Sequence, residues 1–110
     1  MTENYEKRGV IFTEKQRVAK SNKHPELRNK EFINGLVKNA VYSPDFVYED
    51  LANPKKRHIY YLIVYTINKT VRYVKVVVDI TSIPMFIVTA FQPNNVKERG
   101  KTNIIYGKDI

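Results

Sequence analysis

The stretch VRYVKVVVDI at residues 71–80 decides the fold, because its side chains alternate with the two-residue period of a β-strand. Four β-branched residues fall on one side: Val74, Val76, Val78 and Ile80. Branching at the β-carbon suits the pleated, half-buried surface of a sheet. The intervening side chains face the other way: Tyr73, Lys75, Val77 and Asp79. One face is therefore predicted to be apolar and buried, while the other places polar groups in the middle of a sheet.

The segments around this strand repeat the alternation and predict an antiparallel sheet. Residues 46–50, 57–66 and 85–92 show the same period and are joined to their neighbours by short polar connections. Pro84 cannot donate to a strand ladder and is expected at the start of the last strand. If Phe86, Val88 and Ala90 face the core with the valines of 71–80, Lys75 and Thr89 emerge together on the opposite face.

The first forty residues follow a helical period instead. Residues 14–20 predict a short basic helix capped by Thr13. Apolar residues at steps of three and four predict a second helix over 25–39, with Pro25 in its first position. Helical period before residue 41 and strand period after residue 46 predict an α+β fold. In this fold the N-terminal helices pack on a four-stranded antiparallel β-sheet.

The remaining segments leave alternatives open within one predicted domain, residues 1–110. Residues 10–12 form a short apolar run that fits an edge strand or a segment packed on the core. Ile104, Ile105 and Tyr106 either dock as a short terminal element or remain mobile. The polar ends, residues 1–8 and 94–110, are candidate flexible tails.

Composition narrows the classes of function. A net charge of +8 and a pI near 9.7 favour a polyanionic partner, nucleic acid first, although basic charge also serves solubility. The absence of cysteine excludes disulfides and thiolate chemistry, and two histidines make a histidine-rich metal site improbable. We expect no cofactor and no metal. The chain shows no secretory signal and no apolar run of membrane-spanning length, so we expect a cytoplasmic protein without membrane contact.

Four segments in order resemble a known family. "HPEL" at 24–27, "SPDFVYED" at 43–50, "YVKVVVD" at 73–79 and "IVTAFQ" at 87–92 are similar to the phage-associated nuclease-like domains of the barnase–EndoU–colicin–RelE (BECR) superfamily. The resemblance covers roughly residues 11–92. It implies a microbial-RNase or RelE-like fold, with helices on a four-stranded sheet. It also implies a hydrolase that cleaves RNA without a metal, and for a toxin-like member an inhibitor or antitoxin protein as a second partner.

The resemblance implies three catalytic residues. His24 matches the histidine that opens the main helix, Lys75 matches the polar position in the valine strand, and Thr89 matches the threonine of the final motif. A histidine titrates near neutral pH and suits proton transfer with the ribose 2′-OH or the leaving 5′-oxygen. A lysine can hold the charge that develops on the phosphate, and a hydroxyl can orient it. Phe91 stands where a tyrosine is frequent in this family.

Seven further residues are candidates for contact with the substrate. They are basic, aromatic or amide side chains in the strands and in the loop before residue 57: Lys55, Lys56, Arg57, Tyr61, Arg72, Tyr73 and Gln92. Basic side chains bind phosphates, and aromatic rings stack on bases.

Each of these residues also has a structural explanation. A histidine before a proline-started helix serves as a cap or hinge, and a lysine in a strand can reach solvent along its stem. Threonine is a good strand former without any function. Two other functions therefore stay open beside the ribonuclease. One is a non-catalytic RNA- or DNA-binding module that uses an aromatic, basic sheet face, and the other is a phage accessory interaction protein.

Overall fold

The computed structural model describes residues 10–11, 29, 32–65, 68 and 70–107. The predicted tail 1–8, the predicted helix 14–20 and most of residues 25–31 lie outside the described residues. The described part of the chain is built on one sheet with a single helical segment. None of the helices in this part is long and apolar enough to cross a membrane.

The sheet has six strands rather than the four predicted. These are β1 (Val10–Ile11), β2 (Phe46–Glu49), β3 (Arg57–Tyr65), β4 (Val71–Asp79), β5 (Met85–Phe91) and β6 (Ile104–Tyr106). Their order across the sheet is β1-β5-β4-β3-β2-β6, and every pair is antiparallel except β1 with β5. The α+β class and the central antiparallel strands are confirmed. The count of four is wrong because the short runs at 10–11 and 104–106 pair with the two edges.

The helical segment begins as a π-helix and continues as an α-helix. The π-helical part is Phe32–Val37, and helix α1 is Lys38–Tyr42. Val37, Ala40 and Val41 are buried against the sheet. The helix that we predicted over 25–39 therefore ends three residues later than expected. The prediction of two N-terminal helices packed on the sheet is not met, because the described residues contain this one short segment.

The sheet buries both of its faces, and the two differ in chemistry. The face under α1, which we call the apolar face, carries Val47, Tyr60, Val74, Val76, Val78, Met85, Ile87 and Ala90. The opposite face, which we call the polar face, carries Phe46, Tyr48, Ile59, Tyr61, Lys75, Val77 and Thr89. Alternation along β3 and β4 sends neighbouring residues to opposite faces, as the sequence predicts.

A bulge in β5 changes which of its residues face the core. Val78 pairs with Ile87 and Val77 pairs with Thr89, so Val88 is the extra residue of the bulge. The extra residue shifts the alternation, and Ile87 takes the place on the apolar face that we predicted for Val88. For the same reason Phe86 is 38% exposed instead of buried. Thr89 and Lys75 lie beyond the shift and share a face as predicted.

Strand β6 holds the end of the described chain against β2. Of the two alternatives for residues 104–106, docking is the one found, with Tyr106 opposite Val47 and Ile104 opposite Tyr48. Gly107 follows at φ +85, and a Cβ there would clash with the backbone oxygen of Asp45. Only glycine fits this position without strain.

Candidate functional site

Lys75 lies at the centre of the polar face, between two aromatic rings. In the strand register its neighbours are Tyr61 on β3 and Phe91 on β5. Its ammonium lies 5.8 Å from the centroid of the Tyr61 ring and 5.7 Å from that of the Phe91 ring. Both distances allow attraction between the cation and the electron-rich ring faces. Lys75 is only 8% exposed, so its charge needs a partner close by.

That partner comes from the loop between β5 and β6. We call residues 93–103 the strap, because they run from the end of β5 to β6, which lies at the far edge of the sheet. Val96 of the strap packs on the polar face, and Glu98 is 2% exposed. The Glu98 Oε2 atom accepts a hydrogen bond from Lys75 Nζ at 2.9 Å. The central feature of the polar face is thus a buried ion pair.

Tyr61 completes this group with a second hydrogen bond to the same carboxylate. Its hydroxyl donates to Glu98 Oε1 at 2.5 Å. Burial of the ring, and then the hydrogen bond and the negative charge of Glu98, raise the pKa of Tyr61 far above its usual value. A hydrogen bond with the backbone of Lys97 acts in the opposite direction. The phenol therefore stays protonated and remains a donor over the whole physiological pH range.

Thr89 lies diagonally across from Lys75 on the same face. Thr89 pairs with Val77 and Phe91 pairs with Lys75, so one step along the face separates the two side chains. Diagonal neighbours of this kind are typically about 7–8 Å apart. The Oγ1 atom of Thr89 is buried and has no hydrogen-bond partner among the described residues. Buried hydroxyls are normally satisfied, so this atom is the exception on the polar face.

Arg99 of the strap lies over a cluster of aromatic rings. Tyr61 packs against Phe46, Tyr48 and Tyr73 with ring centroids 5.4, 6.1 and 6.2 Å away. Hydrogen bonds to the side chain of Tyr73, and more weakly to that of Tyr48, raise the pKa of Arg99. The strap therefore contacts the polar face through two successive residues of opposite charge, Glu98 and Arg99.

The other predicted contact residues lie away from this centre. Lys55 and Lys56 are exposed in the loop before β3, and Arg57 is half-buried at the start of that strand. Asp79 pairs with Arg57 in the register. Hydrogen bonds from Thr81, and then the positive charges of Arg57 and Lys56, lower the pKa of Asp79. This end of the sheet thus carries both the basic loop and the carboxylates of Glu49 and Asp79.

The remaining candidates fall into two groups. Arg72 and Gln92 are exposed at the ends of β4 and β5, whereas Tyr73 is half-buried under Arg99. His24 lies outside the described residues. His58, the other histidine of the chain, is half-buried opposite Glu49 and Val78. Of the predicted catalytic residues, the structure brings together Lys75 and Thr89.

Sequence analysis missed Glu98 and Arg99. Both follow a polar stretch that shows neither strand nor helical period, so nothing there predicted a contact with the sheet. One signal was available, since Lys75 in the middle of a buried strand requires an anionic partner somewhere in the chain.

The site shows no resemblance that comparison can detect. The chain matches no family model, no curated protein and no solved structure. Within the ranges that the structure describes, no three histidine, cysteine, aspartate or glutamate side chains are grouped in a way that could hold a metal ion.

Proposed function

We propose that the protein is a metal-independent ribonuclease whose active site is the polar face around Lys75. The observation that supports this best is the convergence of two donors, Lys75 Nζ and the Tyr61 hydroxyl, on one anionic group at 2.9 and 2.5 Å. Donors fixed around an anion in a site with little water are the arrangement that stabilises charge developing on a phosphate. In the structure, the carboxylate of Glu98 occupies the position that we propose for that phosphate.

The reaction class is the one that the family resemblance implies, and the residue types fit it. The ribose 2′-OH loses its proton and attacks the adjacent phosphorus, the bond to the 5′-oxygen breaks, and that oxygen takes up a proton. The products are a 2′,3′-cyclic phosphate and a free 5′-OH. In this scheme Lys75 balances charge on the non-bridging oxygens and Thr89 orients the phosphate. His24 is the proposed proton-transfer residue, because its pKa range suits both steps.

Incubation of the purified protein with a mixed RNA pool in EDTA tests the proposal directly. Cleavage is expected to persist in the chelator, and the 5′ fragments should end in a 2′,3′-cyclic phosphate. DNA of the same sequence should stay intact because it lacks the attacking 2′-OH. An RNA pool that remains whole, or products that end in a 5′-phosphate, would contradict the proposed chemistry.

Thr89→Val is the sharpest variant, because it separates catalysis from stability. The Thr89 hydroxyl makes no hydrogen bond to the described residues, and valine has nearly the same shape. Unfolding in urea should therefore show no loss of stability, whereas kcat should fall by about 10-fold or more if the hydroxyl positions the phosphate. Thr70→Val, at an exposed position before β4, is the matched control and should retain full activity. Unchanged activity in Thr89→Val would remove Thr89 from the site.

The two histidines provide a second comparison. His24→Ala is expected to lower the cleavage rate by on the order of 10²- to 10⁴-fold, the usual contribution of a positioned proton-transfer group. His58→Ala should change the rate little, because His58 lies on the opposite face of the sheet from Tyr61 and Lys75. Loss of activity in His58→Ala alone would reverse this assignment.

RNA contact is proposed to extend to the basic loop before β3. Lys55 and Lys56 are exposed there, and Arg57 follows them at the start of β3. Changing both lysines to glutamate should weaken RNA binding. It should also flatten the plot of log affinity against log salt by about 0.7 for each phosphate that the protein no longer neutralises. An unchanged slope would place the contact elsewhere.

A non-catalytic RNA-binding module is the second candidate, and one observation favours it. Glu98 already neutralises Lys75, whereas many other cations of the described chain are exposed: Lys55, Lys56, Arg72, Lys97, Arg99 and Lys101. The base-stacking version of this function is not available to Tyr61, which is fully buried. Salt-dependent RNA binding without any cleavage would favour this candidate over the ribonuclease.

A further inference from the structure

The carboxylate of Glu98 occupies the position that an oxyanion ligand would take on the polar face. It accepts one hydrogen bond from an ammonium and one from a phenol, through Lys75 and Tyr61. Charged and neutral donors of these types bind phosphate oxygens in the same way. Because burial keeps Tyr61 protonated, it can donate to a phosphate as readily as to Glu98. Glu98 and a phosphate group would therefore compete for the same donors.

The strap that carries Glu98 is held to the sheet mainly by polar contacts, which include hydrogen bonds of Arg99 with Tyr73 and Tyr48 and of Asn103 with Glu49. Among its eleven residues, 93–103, only Val96 and Glu98 are buried. Its internal backbone bonds are those of turns, from Arg99 N to Val96 O and from Lys101 N to Glu98 O. Segments with little buried apolar surface open locally at a free energy below that of global unfolding. The strap can therefore leave the face while the sheet stays folded.

Opening of the strap changes which charged groups can bind a ligand. Glu98 is its single acidic residue, and it lies between three cations, Lys97, Arg99 and Lys101. In the closed state the buried carboxylate satisfies the donors on the sheet. The cations of the strap are already exposed in the closed state and can contact the phosphates of a nucleic acid in either state, whereas Lys75 becomes free for a phosphate only in the open state. A polyanion thus binds the open state better, and this difference in affinity is what shifts the equilibrium.

We propose that Glu98 is an internal competitor for the substrate phosphate and that the strap must be displaced before RNA reaches Lys75. The inference rests on the proposed function for the identity of the site, and it adds the regulation of that site. Its physical content is a two-state equilibrium between a closed, self-occupied form and an open, phosphate-binding form. The apparent affinity for the ligand is the affinity of the open form multiplied by the fraction of molecules that are open.

Glu98→Gln tests the competition with a probe that cannot be cleaved, a short single-stranded DNA. Glutamine has nearly the same shape but no negative charge, so the closed form loses its ion pair with Lys75. The affinity for the probe, measured by fluorescence anisotropy, should rise about 10-fold or more, as expected when a minor state becomes the main one. Asp50→Asn makes the same change in net charge outside the strap and should change the affinity less than about twofold.

Val96→Ala provides an independent variant in which the buried charges stay paired. It removes part of the apolar contact between the strap and the polar face, but leaves Glu98 and Lys75 in place. The open form should gain population, and the affinity for the DNA probe should rise by about 3- to 10-fold. This variant keeps the test valid if Glu98→Gln fails to fold. Weaker or equal probe binding in folded Val96→Ala would overturn the proposal.

Hydrogen exchange in the wild-type protein observes the strap itself. The amides of Arg99 and Lys101 are hydrogen-bonded within the closed strap. Saturation with the DNA probe should speed their exchange several-fold, while amides in the centre of β4 remain protected. Exchange that stays the same or slows on binding would show that the ligand binds with the strap closed, and would overturn the proposal.

The two proposals fail in distinguishable ways, because probe binding requires no cleavage. A protein that binds DNA more tightly after Glu98→Gln but leaves all RNA intact keeps the strap inference and loses the catalytic one. A wild-type protein that cleaves RNA, and whose affinity for the probe is not raised by Glu98→Gln or Val96→Ala, keeps the catalytic proposal and loses the strap inference.

Discussion

The two faces of the sheet are both buried, but by different means. The apolar face is covered by α1, and Ala40, Val41 and Val76 belong there to one cluster of buried hydrophobic side chains. The polar face is covered by an irregular strap that brings a carboxylate onto Lys75. Burial of apolar groups is favourable in itself, whereas burial of a charge is favourable only while its partner is present. The apolar face is therefore stabilised by burial alone, whereas the polar face depends on one specific contact, that of Lys75 with Glu98.

The largest expected effect comes from breaking the ion pair on the polar face. Lys75→Met leaves the 2%-exposed carboxylate of Glu98 without a cation and should destabilise the protein by about 3–5 kcal/mol in urea unfolding. The double variant Lys75→Met/Glu98→Leu removes both charges and should recover most of this loss. A double variant as unstable as the single one would mean that packing of the lysine stem, and not its charge, holds the strap.

The next largest effect is expected from a cavity on the apolar face. A second substitution can remove an unpaired charge, but the apolar face has no charged partner to remove. Met85 is fully buried between β1 and β4, and Met85→Ala should cost about 2–5 kcal/mol through reduced burial and the cavity left behind. Ile83→Ala, two residues earlier and 77% exposed, is the control and should stay within about 0.5 kcal/mol of wild type. A small loss in Met85→Ala would indicate that this face relaxes around the gap.

The apolar face was largely predictable from sequence, because its signal is local. Alternation in residues 57–66 and 71–80 predicts which side of β3 and β4 is buried, and the observed strands Arg57–Tyr65 and Val71–Asp79 end within one residue of the predictions. The error in β5 arose because one inserted residue, Val88, reverses the alternation without leaving a mark in the sequence pattern. The two edge strands were left as one of two alternatives each, because runs of two or three residues carry almost no periodic signal.

The candidate site was predictable only in part. Lys75 and Thr89 were placed on one face by alternation, and the register agrees. The contact of Lys75 with Glu98 spans 23 residues and an irregular loop, so neither period nor spacing could reveal it. The sequence also could not show that the lysine is paired with a buried carboxylate.

The hydrogen bond from Tyr61 offers a smaller perturbation of the polar face. Tyr61→Phe keeps the ring among its aromatic neighbours but leaves one oxygen of Glu98 without its donor. Hydrogen bonds to charged groups contribute about 1.5–3 kcal/mol, so urea unfolding should show a loss in that range. Tyr65→Phe, on the same strand and 72% exposed, should be close to neutral. Equal effects in the two variants would mean that the hydroxyl of Tyr61 adds nothing to the closure of the strap.

The smallest expected effect concerns pH and lies at the end of the polar face. Hydrogen bonds from the Thr81 backbone and hydroxyl, at 2.8 and 2.5 Å, lower the pKa of Asp79 below its ordinary value of 3.8. A lowered pKa means that the folded state binds the proton less tightly than the unfolded state. The resulting stabilisation is therefore present above about pH 4 and is lost as the pH falls through the folded pKa. Asp79→Asn should be less stable than wild type at pH 6 by at most about 1 kcal/mol, and the difference should shrink toward pH 3.

Thr81→Val removes the hydroxyl donor and should give a weaker form of the same pH dependence in urea unfolding. A difference that grows on acidification would show that the carboxylate of Asp79 is not stabilised in the folded state.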